Sequence, residues 1–133
     1  MVPRCVWLVV VGLLAFGGSV RGLGGPPPPK RLLLIGQGPD DHPPTTHEYM
    51  AGVRILERLL ARFPGVVTTV AKADEPWSAG PGLMDGADGV VLFVTQGAQW
   101  MQLDPQRFAA LQRLARRGGA IVALHWAVGA KDA

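Results

Sequence analysis

Residues 89–95, Gly-Val-Val-Leu-Phe-Val-Thr, decide the fold. An unbroken β-branched and aromatic run this short is the pattern of a strand covered on both faces; a buried helix needs more residues. Working outward, Arg31 to Ile35 (RLLLI) is a similar run closed by Gly36, Val66 to Ala71 is β-branched enough for a strand, and Ala120 to Leu124 (AIVAL) is a further one. Between them lie helical patterns. Thr46 to Phe63 places Tyr49, Val53, Leu56, Leu60 and Phe63 on one face and Arg54, Glu57, Arg58 and Arg62 mostly on the other. Thr45 and Glu48 have capping-box spacing ahead of it, and Pro64-Gly65 ends it. Pro76 to Gly82 reads as a loop, with Trp77 packing inside it, and Leu83 to Ala87 as one helical turn. Asp104-Pro105 supplies an N-cap and an N1 proline for a helix to about Arg117, with Phe108, Leu111, Leu114 and Ala115 as its apolar face and Gly118-Gly119 as its stop.

Four strands alternating with helical segments predict an α/β protein: a parallel sheet, right-handed crossovers, and helices on both faces. A fifth strand with its helix is expected after Leu124. Only a few residues follow, so the sequence reads as stopping after the fourth strand of such a fold. That leaves apolar strand edge and helix-facing surface exposed, and self-association is expected from it.

The N-terminus reads differently. Arg4, the apolar run Cys5 to Phe16 and the small residues Gly17, Gly18, Ser19 and Gly22 make residues 1–22 a secretory signal peptide, with Ala15-Phe16-Gly17 and Val20-Arg21-Gly22 as cleavage patterns. The run is shorter than the roughly 20 residues a span requires, so no stable membrane span is expected after cleavage. The expected destination is periplasmic or extracellular. Residues 23–30 form a glycine- and proline-rich linker, and residues 31–133 the folded part.

Composition excludes several functions. Without Arg4 and Arg21, the 13 basic and 10 acidic residues are nearly balanced. Only Arg113, Arg116 and Arg117 cluster, at a helix C-terminus where positive charge suits the macrodipole, so no nucleic-acid partner is expected. The one cysteine is Cys5, inside the signal, which leaves the folded part without a disulfide, a thiolate nucleophile or a thiolate metal ligand.

Open parallel sheets bind ligands beyond the carboxyl ends of their strands, near a switch point in strand order. All three histidines fall there: His42 and His47 after the first strand, His125 directly after the fourth. Gln96, Gly97 and Trp100 follow the third. A strand order of 2-1-3-4 would crowd Asp40, Asp41, His42, His47, Gln96, His125 and Trp126 onto one rim. Plainer roles compete at several positions: Asp40 and Asp41 suit a turn, Glu48 a cap, and Trp100 cover for the sheet edge. His125, at a strand-to-helix turn that pushes a side chain toward solvent, makes the strongest claim to chemistry.

Three stretches carry a family resemblance. GPDDHPPTTHEYMAGVRILERLL (residues 38–60), VVLFVTQGAQW (90–100) and RRGGAIVALHWAVG (116–129) resemble the first loop and helix and the third and fourth strand ends of ThuA-like (trehalose utilisation) domains, a branch of the class I glutamine amidotransferase-like superfamily. The match covers about residues 31–133, the N-terminal portion of such a domain. It implies a flavodoxin-like sandwich and a carbohydrate-related role, with a sugar or keto-sugar as ligand. In glutaminases of that fold the turn after this strand bears a nucleophilic cysteine; here it reads Leu124-His125-Trp126-Ala127-Val128-Gly129, so cysteine-dependent glutamine hydrolysis is excluded.

On this reading His125 and His47 are the acid–base candidates, and Asp40, Asp41, His42, Gln96, Gly97, Trp100 and Trp126 the ligand-binding ones. Catalysis and simple binding both remain open, as does a non-catalytic ligand-binding module. A further alternative uses His42, His47 and His125 with one aspartate to hold zinc or another divalent metal. No other cofactor is expected.

Overall fold

The computed structural model describes residues 25–130; the signal peptide expected at residues 1–22 lies outside them. Gly25 to Pro29 is exposed chain leading into the sheet. The elements run β1 (Lys30–Gly36), α1 (Tyr49–Leu60), β2 (Val66–Lys72), α2 (Gly80–Asp85), β3 (Gly89–Phe93), α3 (Gly97–Leu103), α4 (Pro105–Arg116) and β4 (Ala120–Ala123), followed by a short 3-10 helix, His125–Val128. Pairing is parallel throughout, in the order β2-β1-β3-β4. This is a flavodoxin-like α/β arrangement.

The strand side chains alternate between two apolar layers, which is why β1 and β3 carry no polar positions at their centres. Leu34 and Val91 point to α1 and meet Val53, with Met50, Leu56, Leu60 and Phe93 around them. Leu33, Ile35, Val90, Leu92 and Val94 point to the other side, where Trp77, Met84, Met101, Ala110 and Leu114 cover them. Each fully buried Leu or Ile contributes about 1.5–3 kcal/mol over its exposed state, and the three from β1 are all within 1 % of complete burial.

Asp104 caps α4 as expected, its carboxylate accepting from the backbone N–H groups of Gln106 and Arg107. Three local expectations need correction. First, α1 starts at Tyr49, not Thr46: Glu48 accepts from the Thr45 N–H, but Thr45 sits at φ +71° and supplies no reciprocal cap. Second, the helical turn expected at Leu83 to Ala87 starts earlier, at Gly80 inside the expected loop, and residues 97–103, given no element above, form a helix parted from α4 by the single extended residue Asp104. Third, the inward face of α4 is Arg107, Ala110 and Leu114, while Phe108 and Ala115 are exposed.

Edge strand β4 is open, with Ile121 and Val122 each 44 % exposed. Among the described residues no helix is long and apolar enough to cross a membrane.

Candidate functional site

The strand order reverses between β1, whose next strand lies on one side, and β3, on the other. The loops leaving the carboxyl ends of β1, β3 and β4 meet there, as the general rule for open parallel sheets requires. The ends of β1 and β3 are tied together, since the Thr95 N–H donates to Gln37 Oε1 at 2.7 Å.

Asp40, in the loop between β1 and α1, organises the site. Its Oδ1 accepts from the His42 backbone N–H at 3.1 Å and lies 3.0 Å from His42 Nδ1. Its Oδ2 lies 3.1 Å from His47 Nδ1 and accepts from the Tyr49 hydroxyl at 2.6 Å. The Tyr49 hydroxyl, then the His42 N–H, His47 and His42 side chain, hold the carboxyl far below the usual aspartate range, with partial burial acting against them. Tyr49, the first residue of α1, is almost wholly buried and packs edge-on against Phe93 of β3.

His125 reaches the cluster from the opposite strand. It leaves β4 at φ +54°, a left-handed conformation that turns the chain sharply into the 3-10 helix and is uncommon outside glycine. Its Nε2 lies 3.2 Å from His47 Nε2, and the ring centroids are 5.1 Å apart. His42 and His47 are closer still, at 4.4 Å. The 3-10 helix that carries His125 is docked on α3: the Gly129 carbonyl accepts from the Ala98 and Gln99 N–H groups. Gly97 permits that docking, because a Cβ there would stand 2.5 Å from the Ala127 carbonyl oxygen. Gly97→Ala is therefore expected to push the 3-10 helix outward and cost about 1–3 kcal/mol, read as a lowered midpoint in urea unfolding; an unchanged midpoint would mean that the segment is loosely held.

Asp40, Asp41, His42, Thr95, Gln96 and Trp126 line an open recess of about 310 Å³ beside these rings. Trp126 is half exposed, its ring 5.9 Å from that of His125. Thus the expected residues Asp40, Asp41, His42, His47, Gln96, His125 and Trp126 do come together. Two others serve packing. Gly97 is buried under the Ala127 backbone. Trp100 stands apart from the recess, its ring 5.2 Å from that of Trp77, its indole N–H donating to Glu75 at 2.6 Å, and the Arg107 guanidinium 4.0 Å above it.

Sequence reasoning missed Gln37, Thr95 and above all Tyr49, which it placed only on the apolar face of a helix. Tyr49 is the single tyrosine in the chain, so its titration can be followed by tyrosinate absorbance. Burial first, and the Asp40 hydrogen bond second, push it up to about 12 from an ordinary 10.0. The neutral phenol is thus favoured in the folded state. Stability from this group is complete below about pH 10 and is lost as pH rises toward 12. A folded-state midpoint at the ordinary value would show that Tyr49 is neither buried nor bonded to Asp40 in this way.

Ligating atoms of Asp40, His42 and His47 all lie within 4.8 Å of one another, an arrangement that could hold a metal ion. Nitrogen and carboxylate oxygen donors of this kind suit zinc and similar divalent ions.

Fold and rim together define a parallel α/β protein with an aspartate–histidine site at the strand carboxyl ends. Comparison with family models, with curated proteins and with solved structures finds no significant match to this chain.

Proposed function

We propose that this is an exported ThuA-like protein whose rim binds a sugar or keto-sugar, with His47 and His125 as its acid–base pair. The observation that carries the reading is the 3.2 Å contact between His125 Nε2 and His47 Nε2, with Asp40 behind His47 at 3.1 Å. A carboxylate–imidazole–imidazole chain passes a proton along a fixed line, and imidazole does so near neutral pH. The three stretches that resemble ThuA-like domains are the ones whose ends meet here. Asp41, Gln96 and His42 offer polar groups to sugar hydroxyls, and half-exposed Trp126 offers a flat apolar face to a sugar ring.

Tryptophan fluorescence titrated with trehalose and with a 3-keto-glucoside tests this. Saturable quenching is expected, lost in Trp126→Phe and weakened about tenfold in His125→Ala, the scale of one lost hydrogen bond. Quenching by neither sugar would remove the carbohydrate reading.

A second reading, a divalent metal held between His47 Nε2 and His125 Nε2 with Asp40 orienting His47 through Nδ1, is favoured by one observation. Two imidazole nitrogens bound to one tetrahedral zinc at about 2.0–2.1 Å stand about 3.3 Å apart, close to the separation of His47 and His125. Metal analysis of the purified protein and of a His47→Ala, His125→Ala double variant decides it. Zinc present in the first and absent from the second supports a metal site; no metal in either removes it.

A further inference from the structure

Asp40 is central to the site, yet apart from Tyr49 its side-chain partners, His42 and His47, lie on the same loop as itself. Its Oδ1 partner His42 is 52 % exposed in its side chain, and the loop itself lacks regular structure. The one partner rooted in the core is Tyr49, 1 % exposed and wedged against Phe93 with ring centroids 5.0 Å apart. Its hydroxyl and His47 Nδ1 share the same oxygen, Oδ2.

That sharing sets an order of protons. An ionised carboxylate only accepts, so His47 Nδ1 must carry the hydrogen between them. A neutral His47 then presents the Nε2 lone pair, and the facing Nε2 of His125 must carry its hydrogen to make the 3.2 Å contact. We infer that Tyr49 is a positioning residue of this site: its buried hydroxyl keeps Asp40 aligned on His47 Nδ1 and so leaves Nδ1 of His125 as the unprotonated nitrogen of the pair. This rests on the acid–base reading given above and names the atom that would act as base.

Imidazole nitrogen NMR, at a pH well above the usual histidine range, reads the proton positions directly. The wild-type protein should show the hydrogen on Nδ1 of His47 and on Nε2 of His125. In Tyr49→Phe the His47 Nδ1–H should exchange with water about tenfold faster, the factor for one buried hydrogen bond, while melting remains cooperative. In an Asp40→Asn background the same substitution should add nothing. A hydrogen on Nε2 of His47, or unchanged exchange in Tyr49→Phe, overturns the inference, and neither readout needs a sugar. Silence of Tyr49→Phe alongside a His125→Ala variant that still loses sugar quenching would leave the site reading standing. Indifference of sugar binding to His125→Ala would remove that reading instead.

Discussion

Asp40→Asn is expected to lower affinity for a ligand of the histidine rim by on the order of ten- to a hundredfold, the usual cost of losing a group that orients working imidazoles. The carboxylate meets four donors: the Tyr49 hydroxyl, His47 Nδ1, and the backbone N–H and Nδ1 of His42. An asparagine keeps one acceptor oxygen and turns an NH2 toward groups that themselves donate. With either orientation of the amide, Tyr49 or the histidines lose an acceptor. A buried hydroxyl left unpaired costs about 1–3 kcal/mol. Two pH signatures accompany the loss. Because the Asp40 carboxyl is held below its ordinary 3.8, its contribution to stability is complete above that value and disappears as pH falls below it; the variant should show a flatter acid limb. The Tyr49 titration should fall part of the way from about 12 toward 10.0, since burial, the larger cause, remains. Equal affinity and an unchanged acid limb would show that Asp40 is a turn residue and nothing more.

Arg107→Ala is expected to destabilise the fold by about 3 kcal/mol, measured by urea unfolding, without touching the rim. Arg107 is the buried charged residue among those described, at 2 % exposure. Its guanidinium donates to Glu75 at 2.9 and 3.3 Å and lies 4.0 Å above the Trp100 ring. The aliphatic stem fills core space, so truncation opens a cavity comparable to a Met→Ala change, about 2–5 kcal/mol. The lost stacking adds about 0.5–2 kcal/mol. Against these stands relief of the Nε atom, which is buried without a partner. Glu75, 60 % exposed, is left solvated and adds little to the cost. A change below about 1 kcal/mol would mean that α3 and the loop carrying Glu75 can close over the gap.

These two residues also mark how far the sequence could be read. Strands showed through because apolar runs such as Val90 to Val94 read as strands at that length, whereas the order 2-1-3-4 entered only as a condition that the structure meets. The meeting of His42, His47 and His125 was legible only from the strand-end rule taken together with that order. Arg107 did not show, because periodicity assigns an arginine outward, and only Trp100 and Glu75, brought from other elements, make its burial tolerable. The helix at residues 97–103 was hidden by its start: Gln96 enters at φ +47° with no capping side chain, and glycine follows. Tyr49 belongs to both worlds, its ring in the core and its hydroxyl in the site, and a pattern of apolar positions reports only the ring.

The proposed site requires two imidazoles far apart in the chain to touch at one place. Proton–proton NOE spectroscopy on the intact protein measures that directly: rings with centroids 5.1 Å apart should give clear cross-peaks between the carbon-bound protons of His47 and His125. Sharp resonances from both rings with no cross-peak between them would contradict it.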